Sequence, residues 1–124
     1  LVAQISGMLC SAVDRVELHL RDEAVRTYGG LGGNTVGPWH LQPHEIITAV
    51  TQESPRHDLG YLGNSVVFYT SLGRVIALEG SYAAKVHRYA APHGYQITGL
   101  FFEASRLTGV RVMPAPEKPG QSGN

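Results

Sequence analysis

The sequence predicts an all-β fold, and three observations support this prediction. The 15 Gly and 7 Pro of this 124-residue chain fall between short apolar runs, a distribution typical of many short strands joined by tight turns. Residues 13–20 alternate between apolar and polar side chains, as a half-buried strand does. Finally, no segment shows the sustained 3.6-residue period that would indicate an amphipathic helix.

The predicted strands follow one another at short intervals. The chain opens inside a strand, and the further predicted strands cover residues 13–20, 25–28, 45–51, 65–70, 74–78, 85–89, 96–102 and 108–113. Residues 29–33 read Gly-Gly-Leu-Gly-Gly and predict a loop, because so many glycines disfavour any regular element. Residues 52–60 contain Pro, Arg, His and Asp and predict an exposed loop. We therefore expect one domain over residues 1–113, followed by a flexible polar tail over residues 114–124.

Charge and composition narrow the possible classes of protein. The chain has ten basic and ten acidic residues and no basic stripe, so nucleic acid is not an expected partner. No apolar run approaches the roughly 18–20 residues of a membrane-spanning helix. Cys10 is the only cysteine, which excludes a disulfide within the chain. Because the chain opens in a strand without Met, we interpret it as a processed chain or a piece of a longer one, and we favour a secreted or extracellular location.

A weak internal repeat suggests threefold organisation. Ile-Ser-Gly at residues 5–7, Ile-Thr-Ala at residues 47–49 and Ile-Thr-Gly at residues 97–99 each open a strand, a connecting loop and a second strand. Three such units predict an all-β body with pseudo-threefold symmetry.

The order of these motifs resembles that of the jacalin-related lectins. Ile-x-Gly leads to Val-Asp-x-Val at residues 13–16, and Tyr-Gly-Gly-x-Gly-Gly follows at residues 28–33. Gln-Ile-Thr-Gly at residues 96–99 and Thr-Gly-Val-Arg-Val at residues 108–112 close the match, which covers most of residues 5–113. The resemblance implies a β-prism of three antiparallel Greek-key sheets. It further implies a lectin with glycans or glycoproteins as partners, no enzymatic activity and no cofactor.

The chain departs from this family in two places. Members usually begin with a strand and a Gly-rich loop ahead of the position where this chain opens, and that first strand is missing here. The family's primary sugar site also uses an Asp in its closing loop, where this chain has Thr108. The resemblance therefore implies that the primary site is absent.

A second sugar site, found in some relatives, keeps its parts in this chain. Asp14 falls on the Asp position and Gly33 on the partner glycine. In such a site Asp14 would accept hydrogen bonds from two adjacent sugar hydroxyls, and the backbone amides of Ala12, Val13 and Gly33 would donate back. The implied carbohydrate-binding residues are thus Asp14, Gly33, Ala12 and Val13. The implied ligand is mannose or glucose, with galactose left open.

Trp39 and two histidines each have a structural interpretation as well as a functional one. Trp39 could stack on a sugar, but an aromatic plug at one end of the prism explains it better. His40 and His44 have the spacing of metal ligands on a helix, and Glu45 adjoins them. Pro43 opposes such a helix, and we predict no metal site.

The sequence offers features for two further functions. Cys10 and His19 could form a nucleophile and a base, but no motif supplies an orienting carboxylate or an oxyanion hole, and catalysis is not expected. The alternative to a lectin is a non-catalytic targeting or oligomerisation module of a larger protein, with a decayed sugar site. With either function, a homo-oligomer or a place in a larger chain is also consistent with the sequence.

Overall fold

The computed structural model describes residues 1–54, 61–79 and 85–116, and within these ranges the chain contains strands, turns and loops but no helix. Accordingly, no helix that could cross a membrane occurs in the described residues. The strands are β1 (Val2–Leu9), β2 (Val13–Leu20), β3 (Val25–Gly29), β4 (Asn34–His40), β5 (Ile47–Ser54), β6 (Ser65–Thr70), β7 (Val75–Glu79), β8 (Lys85–Ala90), β9 (Tyr95–Glu103) and β10 (Arg106–Pro114).

These strands form three antiparallel sheets. The first sheet has the order β3-β2-β1-β4, and the second has the order β7-β6-β5-β8. The third sheet contains β10 and β9 in the described part of the chain. The predicted all-β fold is therefore confirmed, as is its division into three sheets.

The first two sheets share one topology. In each, a hairpin occupies the centre, the next strand extends it on one side, and the fourth strand returns to pair with the first. The hairpin β9–β10 is the corresponding centre of the third sheet. This repetition gives the molecule the pseudo-threefold prism that the internal repeat predicted.

The hydrophobic core lies between the three sheets. Ile5, Ile47 and Ile97, which open the three repeat units, are all fully buried. Burying a side chain of this size contributes about 1.5–3 kcal/mol to folding. The remaining core residues come from all three sheets: Val2, Val13, Val16, Leu18, Leu41, Val50, Leu62, Val66, Phe68, Ile76, Leu78, Leu100 and Leu107.

Tyrosines from the neighbouring sheets hold the two-stranded sheet in place. The Leu100 amide of β9 donates to Tyr28 Oη of β3 at 2.9 Å. The ring of Tyr28 also packs against Phe102, with 5.9 Å between the ring centroids. On the other side, the Tyr89 hydroxyl of β8 donates to the Leu107 carbonyl of β10 at 2.9 Å. The third sheet is therefore bonded to an outer strand of each of the other two.

The two ends of the prism carry different connections. We call the upper end the one that holds the β1–β2, β3–β4 and β9–β10 loops together with residues 61–64. The lower end holds the β2–β3 and β6–β7 turns and the β4–β5 and β8–β9 connections. Strand β5 runs from the lower end to the upper end.

Three stretches differ from the prediction. Strand β4 was missed, because it is an outer strand whose Gly37 and Pro38 hide any apolar alternation. Gln52, predicted to begin an exposed loop, lies in β5 and is fully buried. Strand β10 extends through Pro114, which was assigned to the tail. The rest of that loop, residues 55–60, and residues 117–124 of the tail lie outside the described residues.

Candidate functional site

Asp14 lies at the upper end, on a bulge in the first sheet. The register of β1 and β2 changes between the pairs Leu9–Val13 and Met8–Arg15, so that Asp14 has no cross-strand partner. A bulge of this kind re-aims the side chain of its extra residue. The carbonyl of Asp14 accepts a hydrogen bond from the Gly30 amide at 3.0 Å, which holds the β3–β4 loop over the start of β2.

The carboxylate of Asp14 lies directly against the glycines of that loop. A Cβ placed on Gly32 would be 2.8 Å from Asp14 Oδ1, and one on Gly33 would be 3.0 Å from Asp14 Oδ2. The Gly33 Cβ would also be 2.5 Å from the carbonyl oxygen of Leu9, and the φ of Gly33 is +65°. Any larger residue at position 33 would therefore be strained and would push the carboxylate away. The structure thus brings Asp14 and Gly33 together, as the motif order implied.

The Asp14 carboxylate is open to a ligand. The residue is half-buried, and neither a hydrogen bond nor an ion pair engages its carboxylate within the described ranges. An ionised carboxylate has two oxygens that accept hydrogen bonds, so this group can receive two adjacent hydroxyls of one ligand.

The expectation for Val13 is wrong. Its amide donates to the carbonyl of Gly63 at 2.8 Å and so is not available to a sugar. Its side chain is fully buried and belongs to the core. Ala12 is 7% exposed, and its carbonyl accepts a hydrogen bond from the Cys10 amide at 3.1 Å within the β1–β2 loop. Ala12 therefore supports the shape of this loop, and a contact of its amide with ligand stays a prediction.

Two residues beside the site were not predicted. Gly32 approaches the carboxylate of Asp14 as closely as Gly33 does. Leu31, at the tip of the same loop, is 81% exposed and offers an apolar surface at the rim. The sequence signal for its exposure was the position of Leu31 as a single apolar residue flanked by four glycines.

Thr108 occupies the position in the third sheet that corresponds to Asp14. The register of β9 and β10 changes between the pairs Leu107–Phe102 and Gly109–Phe101, which leaves Thr108 as the unpaired residue. The Thr108 hydroxyl donates to the carbonyl of Phe101 at 3.2 Å. Among the described residues, no glycine loop faces Thr108 as residues 29–33 face Asp14.

Trp39 lies away from this site. It is near the lower end of β4, opposite Ile5, and packs against the hydrophobic core. Five residues of strand separate it from Asn34 at the upper end, a distance of about 16 Å. Its packing near the lower end agrees with its interpretation as an aromatic plug at one end of the prism, and it cannot stack on a sugar held by Asp14.

The described structure does not bring His40, His44 and Glu45 together as a group of potential metal ligands. The segment around Pro43 is a turn, in which the Glu45 amide donates to the Gln42 carbonyl at 3.0 Å. No group of three potential metal ligands occurs in the part of the chain that the structure describes. The carboxylate of Glu45 is buried and accepts from the Thr70 hydroxyl at 2.6 Å and from Arg74 Nε at 2.9 Å. Burial alone would raise the pKa of Glu45, but these bonds and that from the Gln42 amide outweigh it and lower the pKa.

Cys10 and His19 lie at opposite ends of the β1–β2 hairpin. Cys10 is exposed in the upper loop, whereas His19 lies opposite Gln4 near the lower end. His19 Nε2 is 3.0 Å from Glu17 Oε1, and the other oxygen of Glu17 accepts from Arg15 Nε at 2.7 Å. The hydrogen bond from Arg15 is the main cause of the lowered pKa of Glu17. These side chains form a hydrogen-bonded row along the surface of β2 and no nucleophile–base pair with Cys10.

Comparison with known proteins identifies the fold. Neither a protein-family model nor a curated protein sequence matches the chain. Among solved structures, a variant of Malaysian banana lectin superposes with a TM-score of 0.73 at 19% identity, covering 92% of this chain and 83% of that one. Artocarpin in complex with mannotriose gives a TM-score of 0.68 at 18% identity, covering 90% and 83%. The prostate-specific WGA16 glycoprotein lectin gives 0.66 at 18% identity, covering 90% and 80%.

The fold of the chain is therefore the jacalin-like β-prism. This confirms the architecture that the order of motifs implied.

Proposed function

We propose that this chain is a non-catalytic carbohydrate-binding domain that takes mannose- or glucose-type sugars at the upper end of the first sheet. The observation that supports the proposal is the open carboxylate of Asp14, which rests on the backbone of Gly32 and Gly33. The site consists of Asp14 and Gly33, with the amide of Ala12 as a further donor.

The chemistry of this site suits a pyranose. Two adjacent hydroxyls would donate to the two carboxylate oxygens of Asp14, each charge-assisted bond contributing about 1.5–3 kcal/mol. The glycines leave room for the ring to reach the backbone, and the exposed Leu31 can cover an apolar C–H face. A shallow site of this kind should bind a monosaccharide with a Kd on the order of 1 mM, about −4 kcal/mol.

The structural neighbours support the choice of ligand. Artocarpin was solved with mannotriose, and the other two neighbours are lectins by name. A mannose-type ligand is therefore the first to test, and a galactoside serves as the competing class.

The test is titration calorimetry or saturation-transfer NMR with methyl α-mannoside. Asp14→Asn should abolish measurable binding, because the amide keeps the shape but loses the charge and one acceptor. Glu103→Gln is the matched control, since it removes an exposed carboxylate at the same end of the prism. Equal loss in the two variants, or full binding by Asp14→Asn, would contradict the proposal.

A second control tests whether the sugar site lies in the first sheet or in the third. Thr108→Ala changes the residue equivalent to Asp14 in the third sheet and should leave mannoside affinity unaltered. If Thr108→Ala loses binding while Asp14→Asn keeps it, the site is in the third sheet instead. Tighter binding of methyl α-galactoside than of the mannoside would contradict the ligand class alone.

One observation favours a second candidate function, that of a targeting or oligomerisation module. The third sheet exposes four large apolar side chains, between 38% and 47% accessible: Tyr95, Phe101, Val112 and Met113. Exposed apolar side chains on a β-hairpin favour association with another chain. A mannose-rich glycan array distinguishes the two functions, because only the lectin gives binding that free methyl mannoside blocks.

A further inference from the structure

Two arginines from different sheets meet where the first sheet adjoins the third. Arg26 lies on β3, on the same face of the strand as Tyr28, whose hydroxyl oxygen contacts β9. Arg111 lies on β10, directly opposite Gly99 of β9. Arg26 Nη1 is 3.0 Å, and the Cβ of Arg111 is 3.1 Å, from the position that a Cβ on Gly99 would take. The two side chains therefore converge at Gly99, and no function described above uses them.

Gly99 leaves the space that the guanidinium of Arg26 occupies. A Cβ at position 99 would also be 3.2 Å from Tyr28 Oη, and all three of these distances are closer than ordinary van der Waals contact. Any larger residue there would push the end of the Arg26 side chain away from β9. The lack of a side chain at this position thus allows a charged group of the first sheet to reach the third.

Neither guanidinium has a partner of opposite charge. Within the described residues, no hydrogen bond or ion pair engages the side chain of Arg26 or of Arg111. Arg15 and Arg74, in contrast, each bond to a glutamate. Like charges repel each other, and water screens a half-buried group such as Arg26 less than a fully exposed one. An anion between the two arginines would remove this repulsion.

An exposed aromatic ring borders the two arginines. Leu100 is buried in the core, so that Gly99 and Phe101 on either side of it face outward. Arg111 Cζ lies 5.6 Å from the centroid of the Phe101 ring, which is within the range of a cation–π contact. This contact places the guanidinium of Arg111 on the outer face of the third sheet and leaves its N–H donors without acceptors.

From these two unbalanced charges we infer that the outer face of the third sheet binds an oxyanion, the sulfate or carboxylate group of a ligand, between Arg26 and Arg111. A guanidinium donates hydrogen bonds, accepts none and keeps its positive charge at physiological pH. Sulfate and carboxylate oxygens accept such bonds, and the planar fork of arginine matches their geometry. This site is independent of the carbohydrate site proposed at Asp14.

NMR titration of the full chain at pH 7 tests the inference, with inorganic sulfate, glucose 6-sulfate and glucose as probes. Sodium chloride keeps the ionic strength constant, so that general screening of charge is the same throughout. Both sulfated probes should shift the backbone amide signals of Gly99 and Phe101, and glucose should not. Tighter binding of glucose 6-sulfate would identify an acidic sugar as the ligand, and equal binding would identify the free ion. Absence of these shifts with both sulfated probes would overturn the inference.

Removal of single charges locates the site. Arg26→Gln and Arg111→Gln should each weaken sulfate binding at least about tenfold, because each loses charge-assisted hydrogen bonds. Arg88→Gln is the matched control, since Arg88 lies over the ring of Tyr69 at 5.4 Å but belongs to the second sheet. Its sulfate affinity should equal that of the parent. Full binding by Arg26→Gln, or equal loss in Arg88→Gln, would contradict the site.

A further variant distinguishes a local site from the total charge of the chain. Gly99→Ala keeps both arginines but places a Cβ against Arg26 Nη1, so it should also weaken sulfate binding. Thermal unfolding checks that this variant is folded. Asp14→Asn should leave sulfate binding unchanged. If folded Gly99→Ala binds sulfate as tightly as the parent, the convergence of the two arginines at Gly99 does not form the site, and the inference is wrong.

Discussion

The Leu62 amide donates a 2.8 Å hydrogen bond to the carbonyl of Val13, the residue before Asp14. Together with the bond from the Val13 amide to Gly63, it fixes residues 61–64 of the upper end against the β1–β2 hairpin. Gln52 extends this connection: its Nε2 donates to the carbonyls of Leu62 at 2.8 Å and Ser105 at 2.6 Å, and its Oε1 accepts from the Leu107 amide at 2.8 Å. The Gln52 amide thus joins the second and third sheets beneath the candidate site, and Leu62 and Gly63 connect it to the first sheet.

Replacing Gln52 should destabilise the whole fold. Gln52→Leu keeps the volume but removes the acceptor of the buried Leu107 amide and a donor to the carbonyls of Leu62 and Ser105. An unsatisfied buried group costs about 1–3 kcal/mol, so loss of the bonds to Leu107 and Leu62 should lower the free energy of unfolding by at least about 2 kcal/mol. Urea denaturation measures it, with Gln42→Leu on the exposed β4–β5 connection as the control. Similar stabilities of the two variants would show that the Gln52 bonds contribute little.

Gly33→Ala should remove sugar binding and reduce stability. The new Cβ would meet the Leu9 carbonyl oxygen and Asp14 Oδ2 on a backbone with φ of +65°. Gly30→Ala is the matched control in the same loop, because a Cβ there meets nothing within 4 Å. Calorimetry with methyl α-mannoside and thermal unfolding should separate the two variants. If Gly30→Ala loses as much affinity as Gly33→Ala, the loop as a whole matters, and the contact of Asp14 with Gly33 does not.

Glu45 should make the stability of the chain depend on acid pH. Its folded-state pKa lies below the ordinary value of 4.5, so the ionised carboxylate stabilises the fold above that pH. This contribution is lost as the pH falls through the lowered folded-state pKa. Melting temperatures between pH 6 and pH 2 should therefore fall more steeply for the parent than for Glu45→Gln. Parallel curves would show that Glu45 ionisation does not contribute.

The apolar residues of the third sheet should promote self-association. Met113 is 46% exposed and Val112 is 38% exposed on β10, which has β9 as its partner in the described residues. Exposed apolar strands invite pairing with other chains. Sedimentation velocity over a range of concentrations should show weaker association for Val112→Lys and Met113→Lys than for the parent. Leu72→Lys, at an exposed turn of the second sheet, is the control and should behave as the parent does.

The sequence predicted the buried central strands more accurately than the outer strand β4. Strand β2 was predicted with the observed bounds, because a strand buried on one face carries a two-residue period. Strand β6 was also predicted with the observed bounds, as a short apolar run that ends at a turn. The outer strand β4 lacks that period and was missed. The proximity of Asp14 and Gly33 came from the order of motifs. The engagement of the Val13 amide could not be foreseen, because its acceptor Gly63 belongs to another sheet.

The distance between the two ends of the prism decides which surface a bound ligand leaves exposed. Thr48 lies towards the lower end of β5, and Glu53, five residues further along the strand, reaches the upper end, where its carbonyl accepts from the Asn64 amide. That span is about 17 Å of extended strand. A domain that is bound to a glycan surface through Asp14 would therefore present its lower end to solvent.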